Sequence, residues 1–116
     1  MSYDLNFWDQ ENFVEKDPRE IYRELCEGKE VEGLLYISTD AFFKRILEEF
    51  PGASKESDGS LFWKGEENSF QATSGPQHIR IDCYGTPGEW MNVFIDIGNE
   101  FSCPLYDPQV DQRFAG

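Results

Sequence analysis

Apolar and polar residues alternate from the start of the chain. Tyr3, Leu5 and Phe7 fall on one side of an extended segment and Asp4, Asn6 and Trp8 on the other, which predicts a strand over Tyr3–Trp8. Asp9 to Lys16 is acidic and has no period. Asp17-Pro18-Arg19-Glu20 then has the chemistry of a helix start: a capping carboxylate, a proline at the first helical position, and a glutamate at the third. Ile21, Tyr22, Leu25 and Cys26 follow at helical spacing, and Gly28 ends the run. The connector Glu30–Ile37 holds a short apolar stretch, Leu34 to Ile37. Ser38 or Thr39 can cap a second helix with Phe42, Phe43, Ile46, Leu47 and Phe50 on its apolar face, closed by Pro51-Gly52.

Ala53 to Ser60 is polar and reads as a loop. Leu61–Lys64 and Ser69–Thr73 read as two short strands around a turn at Gly65–Asn68. After the Gly75-Pro76 turn, Gln77–Tyr84 reads as a further strand. Ile79, Ile81 and Cys83 lie on one face of it, and His78, Arg80, Asp82 and Tyr84 on the other. Trp90–Phe101 carries two patterns at once. Met91, Val93, Ile95 and Ile97 fit a strand, whereas Trp90, Met91, Phe94, Ile97 and Phe101 fit one face of a helix. The preceding Thr86-Pro87-Gly88-Glu89 repeats the capping chemistry and favours the helix. Pro104–Asp107 is a last short strand, and Asp107-Pro108-Gln109 turns out of it.

The order β, α, α, β, β, β, α, β does not alternate strand with helix. It predicts one α+β domain over 1–116, with about three helices and a mainly antiparallel sheet. A ferredoxin-like split βαβ is one arrangement of that kind. A chain of 116 residues needs neither disulfides nor a metal to hold a core. Ten Phe, five Tyr and three Trp supply large apolar areas for it, which sets the chain apart from a disordered acidic tail.

Charge changes the picture most. Against 23 Asp and Glu stand only 10 Lys and Arg, a net charge of −13. Contacts to phosphate need cations, so direct binding to nucleic acid or to an anionic membrane surface is disfavoured, and a basic partner is favoured. The competing explanation is that the acidity serves solubility alone. Cys26, Cys83 and Cys103 are too far apart for a metal or redox motif and read as reduced thiols used as small hydrophobes. No signal-peptide pattern or membrane-length apolar run occurs, so a cytoplasmic location is expected.

No catalytic motif is legible, and the expectation is a non-enzyme without cofactor or metal. The sole histidine, His78, sits on the polar face of its strand with no candidate nucleophile beside it. No Cys/His spacing suits zinc, and no glycine-rich turn follows a strand as a phosphate site requires. Binding signals are clearer. Trp8 with Asp9 and Glu11, Trp63 with Glu66 and Glu67, and Asp82 with Tyr84 set rings beside carboxylates, as a surface for Lys and Arg would. For Trp8 and Trp63 a place in the core is the alternative.

The opening Tyr3-Asp4-Leu5-Asn6-Phe7-Trp8, the closing Cys103-Pro104-Leu105-Tyr106-Asp107-Pro108-Gln109 and the aromatic helix Asp40–Phe50 resemble small acidic bacterial immunity proteins of contact-dependent growth inhibition and related polymorphic toxin systems. The resemblance implies a cytoplasmic antitoxin that binds and inhibits the C-terminal domain of a cognate toxin, often a basic nuclease. It carries over no catalytic motif. Two other classes stand beside it. An acidic adaptor or nucleic-acid mimic inhibiting a DNA-processing enzyme would need carboxylates along one elongated face. A small enzyme would need a carboxylate pair in one cleft.

Overall fold

The computed structural model describes residues 2–11, 14–86 and 88–114. Strand β1 (Ser2–Phe7) leads into helices α1 (Pro18–Cys26) and α2 (Thr39–Glu49). Strands β2 (Ser54–Lys55), β3 (Leu61–Lys64), β4 (Asn68–Gly75) and β5 (His78–Gly85) follow. A short 3-10 turn (Glu89–Met91) enters α3 (Asn92–Glu100), and β6 (Leu105–Asp107) and β7 (Gln112–Arg113) close the chain. The seven strands form one sheet in the order β2-β3-β4-β5-β1-β6-β7, every neighbouring pair antiparallel. The protein is thus a single α+β domain, as its residue pattern predicts.

Period-two alternation gives the sheet two different faces. The register sets Leu5 against Ile81 and Phe7 against Ile79, and Ala72 and Phe70 continue that face onto β4. Helices α2 and α3 close over it through Phe42, Phe43, Ile46, Phe94 and Ile97, all buried. Phe50, just past α2, ties the two layers together. Its ring centroid lies 5.0 Å from Phe70, 5.1 Å from Trp63 and 5.3 Å from Phe94. Such contacts add to the area each ring removes from water. Gly98 lets α3 sit close to β1, because a Cβ there would come within 2.6 Å of the Phe7 ring.

The opposite face is only partly covered. Helix α1 lies across it at the β5, β1 and β6 positions, and Trp8, Ile21, Val31, Leu34 and Tyr106 form a second, smaller apolar cluster there. Trp8 and Tyr106 approach to 5.3 Å, and Tyr22 and Tyr106 to 5.5 Å. Towards β3 and β4 this face stays open, with Phe62 and Gln71 paired across it.

Several local expectations hold and others need correction. Asp17 caps α1, its side chain accepting from the Arg19 amide at 2.9 Å. Trp90–Phe101 resolves in favour of the helix. Its entry is the 3-10 turn, with Gly88 at the cap and no side-chain cap bond, so the capping box does not form. Pro87 of that motif lies outside the described residues, as do Asn12 and Phe13 of the irregular segment after β1. The Ala53–Ser60 loop contains the two-residue strand β2, and the turn after β6 returns as β7. A split βαβ would align strands in parallel. Here both neighbours of β1 are antiparallel and helices occupy both faces, so the sheet departs from the ferredoxin-like arrangement.

Candidate functional site

The half-covered face carries a chain of polar contacts beneath and beside α1. Tyr22 of α1 donates its hydroxyl to Asp4 Oδ2 at 2.7 Å, and Asn6 Nδ2 reaches the same oxygen at 3.3 Å. Asn6 Oδ1 then stands 2.8 Å from His78 Nε2. Because the Asn6 amide donates to Asp4, its oxygen is the acceptor, so the His78 proton resides on Nε2. Arg80 donates through Nε to Asp82 at 3.0 Å and lies 3.7 Å from Asp4. The alternation along β1 and β5 places these side chains on one face, and α1 shuts most of them away from water.

His78 is therefore not the surface histidine its strand pattern suggests. It is 7% exposed, with its ring edge against Trp8 at 6.5 Å. Burial, reinforced by the nearby Arg80, lowers its pKa to about 4, so the ring is neutral at pH 7. Burial and the bond to Asp4 together hold the Tyr22 hydroxyl protonated well above its usual range. Cys26 also needs correction. It is exposed at the end of α1, where its sulfur accepts from Arg80 Nη1 at 3.5 Å, whereas Cys83 and Cys103 are buried as expected.

The connector from Lys29 to Ile37 folds back across the β4–β5 hairpin, and one buried turn residue fixes it. Gln77 Nε2 donates to the carbonyls of Val31 and Leu34, both at 3.0 Å, and Gln77 Oε1 accepts from the Val31 amide at 2.9 Å. The other side of the connector is bonded to the segment after β1. Leu35 N reaches Asp9 O at 2.9 Å and Glu11 N reaches Gly33 O at 2.8 Å. Asp9–Glu11 and Glu30–Tyr36 thereby become one ridge, far apart in sequence and adjacent in space. On it Leu35 is 41% and Tyr36 70% exposed, beside the exposed Glu11, Glu30 and Glu32. Behind Tyr36 opens a cleft of about 520 Å³ whose walls include Cys26, Lys29, Glu30, Thr73, His78 and Arg80.

Of the contact residues the sequence suggested, Trp8 must be withdrawn. It is 0% exposed, its indole donates to Gln10 at 2.9 Å, and Arg113 packs over it at 5.6 Å. Trp63 lies on the apolar face, half-buried against Phe50, Phe70 and Trp90. Asp82 is bonded to Arg80. Asp9 is half-buried; desolvation raises its pKa by more than Arg113 lowers it. Glu11, Glu66, Glu67 and Tyr84 are exposed.

The exposed four do not form one surface. Register puts Asn68 opposite Gly85 at one end of β4 and Gly75 opposite His78 at the other. Glu66, Glu67 and Tyr84 lie at the first end, Asp9 and Glu11 at the second. The eight residues of β4 span roughly 24 Å between them at about 3.4 Å per residue. The second end is the one the connector enlarges. Glu30, Glu32, Leu35 and Tyr36 carried no isolated signal in the sequence, although the apolar run Leu34–Ile37 beside two glutamates was a cue to exposed hydrophobic side chains.

Compared with known proteins, the chain matches no family model, no curated protein and no solved structure. Among the described residues no helix is long and apolar enough to cross a membrane. The ridge offers what macromolecular recognition uses: exposed anchors that desolvate well, rimmed by charge of one sign.

Proposed function

We propose that the protein neutralises a basic toxin domain by binding it through the ridge formed by Asp9–Glu11 and Glu30–Tyr36. The observation that carries the reading is the pairing of exposed Leu35 and Tyr36 with carboxylates that have no cation against them. Among the described residues Glu11, Glu30 and Glu32 enter no ion pair, while Lys16, Lys29, Arg45 and Arg80 are each bound to acids elsewhere. A net charge of −13 steers a cationic partner towards such a surface, and the two apolar side chains supply area to bury once it arrives. Resemblance to toxin-immunity proteins, the missing catalytic motifs and the single-domain size support the same reading. On it, the protein is a cytoplasmic antitoxin rather than an enzyme and requires no cofactor.

The test is co-expression with the C-terminal domain of the protein encoded immediately upstream. The expected result is rescue of growth and a complex that co-purifies. Charge reversal of Glu30 and Glu32 to Lys should slow association by about tenfold at low ionic strength and less at high salt. A toxic domain that this chain neither binds nor neutralises would overturn the reading.

A further inference from the structure

We propose that the cleft between Tyr36 and His78 is a socket for a single alkylammonium or guanidinium cation. Several groups on its walls already have partners within the protein. Lys29 is paired with Glu27 at 2.9 Å, and Arg80 with Asp82 at 3.0 Å and Asp4 at 3.7 Å. The Tyr36 hydroxyl donates to Glu30, and the Gln77 amide donates to the connector carbonyls. The cleft's two cations, Lys29 and Arg80, are thus matched by carboxylates within the protein, whereas Glu30 is engaged only through Oε1.

Glu30 keeps a carboxylate charge with no cation opposite it among the described residues. At the inner end, His78 Nε2 is held by Asn6, which leaves the Nδ1 lone pair of a neutral ring with no hydrogen bond among the described residues. A carboxylate at the mouth and an unpaired imidazole lone pair on the inner wall ask for a donor that carries positive charge. Tyr36 offers an aromatic face to the same charge, and Leu25 and Pro76 line a path for methylene groups. The volume of about 520 Å³ is that of a small-ligand pocket and exceeds what one Lys or Arg side chain fills.

The cation can be a side chain presented by the toxin domain or a free diamine. The inference rests on the toxin-binding reading only for the first of these sources. The protein's sole histidine makes a clean probe, since one pair of imidazole nitrogen signals reports on the inner wall of the cleft. Titration of the isolated, nitrogen-15-labelled protein with N-acetyl-arginine methylamide should move the Nδ1 signal saturably. The uncharged citrulline analogue should leave it in place. Glu30→Gln, a nearly isosteric change at an exposed position, should raise the Kd for the arginine probe by about fivefold, the order expected for one partly exposed charge pair.

Cadaverine titrated in parallel separates the sources: tighter binding of the capped arginine assigns a protein side chain, tighter binding of cadaverine a free amine. An Nδ1 signal that ignores both cations, or follows citrulline equally, would overturn the socket. Because the titration uses this chain alone, its failure leaves growth rescue untouched, and failed rescue leaves the titration standing.

Discussion

The two faces of the sheet are built from the same strands and hold together differently. The face under α2 and α3 is a continuous apolar layer in which Phe50 touches Trp63, Phe70 and Phe94, with no charged side chain in the cluster. The face under α1 mixes a small aromatic cluster with Asp4, Asn6, Tyr22, His78 and Arg80, linked to one another by hydrogen bonds and an ion pair. Apolar burial is non-directional and favours stability, whereas a buried polar network fixes one geometry and is costly when a partner is missing. The connector, the ridge and the cleft all belong to the second face. The proposed recognition surface lies where hydrogen bonds, not bulk burial, hold the backbone.

That contrast can be tested most strongly at Phe70, whose ring is wholly buried between Phe50, Trp63 and Phe94. Phe70→Ala should cost about 3–5 kcal/mol in urea unfolding, as ring deletions in packed cores do, without selective loosening of the ridge.

Second in size is the acid sensitivity of the other face. The folded pKa of His78, about 4, lies below the ordinary 6.5, so the unfolded chain takes up its proton first as pH falls. The neutral ring's contribution is complete above about pH 6.5, declines from there to about pH 4, and is constant below. It amounts to about 3 kcal/mol at about 1.4 kcal/mol for each pH unit between the two values. Unfolding free energies measured across that window should fall more steeply for the wild type than for His78→Gln. Parallel curves would show that His78 takes up its proton equally readily folded or unfolded.

Gln77→Ala comes next. It removes three hydrogen bonds to the connector, leaving the Val31 amide and the Leu34 carbonyl without partners, and should cost roughly 2 kcal/mol. Amide exchange should accelerate at Val31 and neighbouring connector positions while β4 and β5 keep their protection. Loss of protection across the whole sheet would erase the distinction between the faces. The smallest effect belongs to charges at the far end of β4. Reversal of Glu66 and Glu67 to Lys should slow association with the proposed toxin domain less than reversal of Glu30 and Glu32, by about twofold against tenfold. Equal slowing would move the docking surface away from the ridge.

Much of this was legible in the residues. Alternation in Tyr3–Trp8 and Gln77–Tyr84 assigned each side chain to a face, whereas the helix over Trp90–Phe101 was favoured over a strand by a Thr86–Glu89 capping motif whose side-chain cap bond does not form. Strands β2 and β7, two residues each, are too short to carry any period. Gln77 gave no signal either, because a glutamine in a hairpin turn is ordinarily solvated. It is buried only because a segment more than 40 residues earlier folds back over it. Trp8 sits beside Asp9 and Glu11 in the chain and still faces inwards, since strand neighbours point to opposite sides.

By itself the sequence determined the three helices and the longer strands, the two-sided character of those strands, and the net negative charge behind the proposal of a cationic partner. These follow from local geometry and from composition, which no folding event alters. Tertiary structure alone decided that α1 covers His78, that Asp9–Glu11 and Glu30–Tyr36 form one ridge, and that Glu66 and Glu67 lie at the opposite end of β4. Side-chain alternation states which way a residue points. Whether that direction leads to water depends on where a distant helix or connector docks, and hydrogen bonds spanning dozens of residues settle it.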